Sequence, residues 1–126
     1  MIAVLDASAL LAYLHREPGK EQVEGRIADL CISSVNWYEV VQKTLAKGVD
    51  VSKMIKLLRD LELTIEPFSD RQAESAAQLW PETRELGLSL ADRACLALAL
   101  EKSLPVLTTD RVWKKLKLGL EVRLVR

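Results

Sequence analysis

Short, wholly apolar runs alternate along the chain with longer stretches in which apolar residues recur every three or four positions. Ile2 to Leu5 is such a run and predicts a buried strand, followed by a helix over roughly Ser8 to His15 that Pro18 and Gly19 stop. Glu21 to Ile27 predicts a short helix and Leu30 to Ser33 a second strand. Helices are expected at Asn36 to Lys47, with Gly48 as the stop, and at Val51 to Leu61, with Val51, Ile55 and Leu58 on one side. Leu63 to Ile65 is short and β-prone and ends at Pro67. Asp70 to Trp80 predicts a helix, and Pro81 suits the first turn of a separate short one better than a helix interior. Ser89 to Lys102 is a strongly apolar helix. Pro105 to Thr108 is a strand, a short helix starts near Asp110, and Glu121 to Val125 is a last, edge strand. Strand and helix in turn, with apolar strand interiors, predict an α/β protein: a three-layer α/β/α sandwich around a mostly parallel sheet of about five strands.

The length of 126 residues suits one domain, 1–126, and no linker or repeat divides it. Eighteen basic residues balance eighteen acidic ones, so net charge gives no sign of a nucleic-acid coating protein and leaves a local patch open. Such neutrality also gives little protection against association, which makes an oligomer or partner complex an expectation. Cys31 and Cys95 lie in apolar runs and read as core residues; without CxxC and with His15 the single histidine, no zinc site is expected. There is no GxxxxGK[ST] motif and no glycine-rich turn for a dinucleotide. The start of the chain does not read as a signal peptide, and no run is long and apolar enough to cross a membrane; a cytoplasmic protein is expected.

Candidate chemistry lies in four acids. Asp6 follows the first strand and Asp110 follows the fourth, so parallel strands would bring both to one sheet edge, where open α/β folds bind ligands. Glu39 and Asp92 fall in the predicted first turns of helices, within Asn36-Trp37-Tyr38-Glu39 and Ser89-Leu90-Ala91-Asp92, which have capping-box spacing. An ordinary structural role therefore stands beside the chemical one: Glu39 and Asp92 as helix caps, Asp110 as the cap before Arg111. If the four converge, they resist full ionisation unless cations neutralise them, and oxygen ligands favour magnesium or manganese over zinc.

The motifs around these acids resemble those of the PIN-domain ribonucleases. Val4-Leu5-Asp6-Ala7-Ser8, Val35-Asn36-Trp37-Tyr38-Glu39-Val40, Leu88-Ser89-Leu90-Ala91-Asp92-Arg93-Ala94 and Leu107-Thr108-Thr109-Asp110-Arg111-Val112-Trp113 are similar to the family's four acidic motifs, in order, across the whole chain. The length is similar to that of the VapC-type toxins of VapBC toxin–antitoxin pairs. The resemblance implies a Mg2+-dependent endoribonuclease, with Mn2+ a plausible substitute, that hydrolyses RNA phosphodiester bonds through a metal-activated water. It implies Asp6, Glu39, Asp92 and Asp110 as the catalytic and metal-binding set, Asp6 and Asp92 foremost, with Ser8 and Thr109 supporting. For Ser8 a helix cap, and for Thr109 a backbone hydrogen bond holding the loop, are equal alternatives. Arg93 is a candidate to contact substrate or neutralise the acids, and Arg111 a candidate substrate contact. The implied partners are RNA, a VapB-type antitoxin laid across the site, and a second copy of the chain in a homodimer.

For holding RNA, Arg111, Lys114, Lys115, Lys117, Arg123 and Arg126 form a basic stretch, with an ordinary charged helix face as the alternative. Trp37 and Trp113 are candidates to stack on bases, Trp113 more as a packing anchor. Two other function classes compete. One is a binding module of the same fold without catalysis. The other is a receiver-like signalling domain, which needs a phosphoacceptor Asp after its third strand, where Ile65-Glu66-Pro67 stands instead.

Overall fold

A computed structural model describes all residues, 1–126. Five strands, β1 (Ala3–Leu5), β2 (Leu30–Ser33), β3 (Thr64–Glu66), β4 (Val106–Thr108) and β5 (Val122–Leu124), form one sheet in the order β3-β2-β1-β4-β5. All four pairings are parallel, with Leu5 facing Ile32 on one side and Leu107 on the other. The expected α/β sandwich is therefore present, its sheet wholly parallel. A receiver-like domain orders its strands 2-1-3-4-5, so the observed order sets that reading aside.

Strand parity divides the core. Ala3, Leu5, Leu30, Ile32 and Leu107 join one apolar cluster with Leu10 of α1 (Ala7–Leu14), Val40 of α2 (Ser34–Ala46) and Met54 and Leu58 of α3 (Val51–Asp60). Val4, Cys31, Val106 and Val122 point the other way, onto Cys95, Leu96, Leu98 and Ala99 of α6 (Leu90–Lys102) and onto Trp113. Residues 94 to 99 are all buried, because α6 lies between the sheet and the helices α2 and α4 (Asp70–Gln78); a helix apolar all round needs such a place. Both cysteines are buried and unpaired, as their apolar surroundings predicted. No helix is long and apolar enough to cross a membrane.

Two expected elements differ. Glu21 to Ile27 is not an α-helix but part of a loop with 3-10 turns at Lys20–Gln22 and Ile27–Asp29. Gly19 and Gly25 take positive φ on either side of the first turn, and only Val23 and Ile27 are buried, too few for an amphipathic face. The helix expected over Asp70 to Trp80 ends at Gln78 with Leu79 as its cap, and Trp80 opens the four-residue helix α5 (Trp80–Thr83), with Pro81 in its first turn as its chemistry requires.

Candidate active site

β1 and β4 are neighbours, yet the chain leaves β1 towards β2 and β3 and reaches β4 on the other side. The strand order reverses there, and beyond the carboxyl ends of two such strands is the usual ligand position in open α/β sheets. Asp6 lies at that point. It is 4 % exposed and caps α1 by accepting from the Ala9 amide at 2.8 Å. The Ser8 hydroxyl donates to its Oδ1 at 2.7 Å and the Thr108 hydroxyl to its Oδ2 at 2.6 Å. Thr108 in turn accepts from the Asp110 amide, and Ser8 from the Thr109 amide, both at 3.0 Å. Burial raises the Asp6 carboxyl to a pKa of about 6; the three hydrogen bonds pull it down, and the Asp92 charge pushes it up.

Asp92 comes from the first turn of α6. Its carboxylate accepts from the Ser89 amide while the Ser89 hydroxyl accepts from the Asp92 amide, so the predicted capping box is real. Its pKa is also raised, first by burial, against the Ser89 hydrogen bonds, and then by the charges of Glu39 and Asp110. The four acids thus share one electrostatic neighbourhood. Structural and chemical roles coexist on these residues, because a carboxylate has more acceptor sites than a cap uses.

Glu39 differs from its expected place. α2 begins at Ser34, capped by the Ser33 hydroxyl, which accepts from Val35 N. Glu39 therefore lies in the second turn and caps nothing; it pairs with Lys43 at 3.0 Å. Asn36 is buried inside the helix and donates through Nδ2 to the Ala91 carbonyl at 3.0 Å, tying α2 to α6 beside Asp92. Asp110 is exposed and caps the 3-10 turn Arg111–Lys115, accepting from Val112 N.

Other expectations are redistributed. Ser8 is not the helix cap; Asp6 is, and Ser8 supports it. Thr109 enters through its backbone amide, while the side chain on Asp6 belongs to Thr108, a polar residue closing an apolar strand. Arg93 pairs with none of the acids and donates to the Leu88 carbonyl at 2.9 Å. Arg111 is exposed and in no ion pair. Trp113 is fully buried, so it is an anchor and offers no face to a base; Trp37 is half-buried against the core. Within the basic tail, Lys114 donates to the Val122 carbonyl, Arg123 pairs with Glu121 and Arg126 with Glu17. The signals that pointed to Thr108 and Asn36 were slight: a hydroxyl at the end of an apolar run, and a polar residue one turn before an acid.

Every donor in this set is a carboxylate oxygen, with Ser and Thr hydroxyls behind, which suits a hard divalent cation. The raised pKa values of Asp6 and Asp92 record the burial and mutual repulsion that such an ion would offset. The carboxylates share a neighbourhood without closing on a single point: no three His, Cys, Asp or Glu stand set to hold an ion between them, and Glu39 is held by Lys43.

The fold has counterparts among known proteins. The family model described as PIN domain matches residues 3–118. A toxin–antitoxin complex from Klebsiella pneumoniae contains a chain similar in structure at TM-score 0.76 and 21% identity, with 98% of each chain covered. DNA-bound VapBC from Salmonella typhimurium gives 0.74 and 16%, with 100% of each chain covered. FitAcB from Neisseria gonorrhoeae gives 0.66 and 19%, with 96% of each covered. No curated protein matches the sequence.

Proposed function

The chain belongs to the PIN domain family, and from that premise we propose that it is a magnesium-dependent endoribonuclease, a single domain that acts as the toxin of a toxin–antitoxin pair. The observation that carries this reading is Asp6: a carboxylate with a raised pKa, buried at the switch point of the sheet and electrostatically coupled to Asp92, with Glu39 and Asp110 beside it. Capping α1 accounts for a carboxylate at this position, but burial to this depth costs more than an exposed cap would.

Asp6 and Asp92 are the residues to hold the cation, with Asp110 and Glu39 completing its surroundings. Magnesium or manganese, when bound, supplies charge that polarises a phosphoryl oxygen and makes water a better nucleophile. The chain's own part is orientation. Ser8 and Thr108 fix one Asp6 oxygen each, and the Ser89 amide fixes Asp92. In this reading Glu39, which on α2 pairs with Lys43, would accept the proton of the attacking water. In-line attack on phosphorus by that water would break the bond to the 3′-oxygen, which takes a proton from solvent and leaves as a hydroxyl, with a 5′-phosphate on the other fragment. The acidic crevice also suits a basic side chain from an antitoxin, and the assemblies named for two of the similar structures support such a partner. A homodimer is part of the same reading.

Incubation of the protein with total RNA and magnesium, followed by mapping of new ends, tests it. Discrete cleavage should vanish with EDTA. It should fall by about two orders of magnitude in Asp6→Asn or Asp92→Asn, the scale on which removing one electrostatic stabiliser acts. Cleavage that survives both substitutions overturns the site. RNA binding without cleavage moves the function to a non-catalytic module.

A further inference from the structure

Next to the acids, on the α1–α2 side, lies a groove of about 390 Å³ whose wall begins at Ser8 and Thr109, the residues that brace Asp6. Its remaining polar lining is His15, Lys43, Lys47 and Arg126, with Glu17 the single carboxylate. Glu17 is already matched by Arg126 at 3.2 Å, and Lys43 by Glu39 at the boundary with the acidic crevice. Lys47 pairs with no carboxylate. A lysine at a helix C-terminus ordinarily reaches for the last carbonyls; the Lys47 ammonium instead meets Nδ1 of His15 at 3.3 Å. An ammonium only donates, so in this contact the ring nitrogen is the acceptor, and Lys47 lines the groove.

We propose that this groove is a binding site for the RNA backbone, in which Lys47 and Arg126 hold phosphates flanking the one at the acids. This rests on the nuclease reading above and deepens it. A polyanion that enters a crevice of four carboxylates is repelled there, and its attachment must come from neighbouring cations. The groove adjoins Asp6 through Ser8 and Thr109, which line it and hydrogen-bond around that carboxylate. Of the basic tail, Lys114 and Arg123 are committed to internal partners, and Arg126 reaches the groove beside Glu17. Lys43, shared between crevice and groove, marks the line along which a strand would pass from one to the other.

The test measures anisotropy of a labelled single-stranded oligoribonucleotide over a salt series in calcium buffer, with cleavage in magnesium as a separate readout. Lys47→Gln and Arg126→Gln are each expected to weaken binding by about three- to tenfold and to reduce the salt slope by about one per cation removed. Lys47→Arg should retain affinity. Arg71→Gln, on α4 across the sheet, should bind as the parent protein does. In cleavage, the groove variants should raise KM and leave kcat in place. A Lys47→Gln/Arg126→Gln protein with unaltered affinity and salt slope overturns the groove, as does a parent protein that binds no RNA. If the parent cleaves RNA and the groove variants are indistinguishable from it, the groove falls and the nuclease stands. If groove variants weaken binding but no protein cleaves, the groove stands and the nuclease falls.

Discussion

Asp6 places a carboxylate where only 4 % of the residue remains exposed, and its neighbours can only partly compensate. The folded-state pKa of about 6 lies above the ordinary 3.8, so between these values the folded protein holds more protons than the unfolded chain. Stability then falls as pH rises from about 4 to about 6 and is flat in this respect above, by roughly 3 kcal/mol in all for Asp6. Asp92, also raised, adds in the same sense. In urea denaturation with EDTA, Asp6→Asn should gain on the parent protein by about 2 kcal/mol between about pH 4.5 and about pH 7.5. Parallel pH curves for the two proteins would show that Asp6 is not the buried titrating group. The carboxylate itself was legible because an acid directly after an apolar strand has few comfortable places. Which hydroxyls meet it was not. Ser8 is two residues away and could be read locally, whereas Thr108 arrives from 102 residues downstream.

Two helices carry the other half of the site, and their placement depends on how they meet. α6 starts where Ser89 and Asp92 cap each other, a local signal present in the sequence. α2 starts ahead of Asn36, because Ser33 supplies the cap and the Asn36 amide is drawn instead to the Ala91 carbonyl across the helix interface. That long-range bond competes with the local cap, and no single-segment pattern reveals it. Its Oδ1 has no partner, so Asn36→Ala removes one bond together with one unsatisfied acceptor, at a net cost of about 1 kcal/mol. On the proposed reading the larger expected effect is on magnesium affinity, since Glu39 and Asp92 ride on the two helices that Asn36 joins; loss of a support behind these proposed ligands weakens binding by about 10- to 100-fold. Calorimetric titration with magnesium checks this. Unchanged affinity with the stability loss alone would leave Asn36 a packing residue.

Across the whole molecule, the chain end closes on the segment that follows α1. Gly19 has φ +98, and a Cβ there would stand 1.9 Å from the Val125 carbonyl oxygen. Gly19→Ala must therefore strain its own backbone or displace the residues after β5, costing about 1–3 kcal/mol or more. Hydrogen exchange should accelerate at the Val125 amide, which donates to Thr108, while α6 keeps its protection; uniform protection throughout would mean that the contact is easily relieved. The layered architecture itself was written in the chain. Apolar runs of three or four residues separated by helical periods leave few alternatives to a covered parallel sheet, since such strands must be buried on both faces. The acidic motifs likewise stood in the sequence as residues and spacings. What only the tertiary structure decided is adjacency across long separations: β1 beside β4, Thr108 on Asp6, Asn36 against α6, and Lys47 and Arg126 in one groove. Hydrophobic periodicity records how deeply a residue is buried, because burial is a property of one position against water. Which buried or charged group meets which other depends on strand order and helix packing, and these are settled by the whole chain at once.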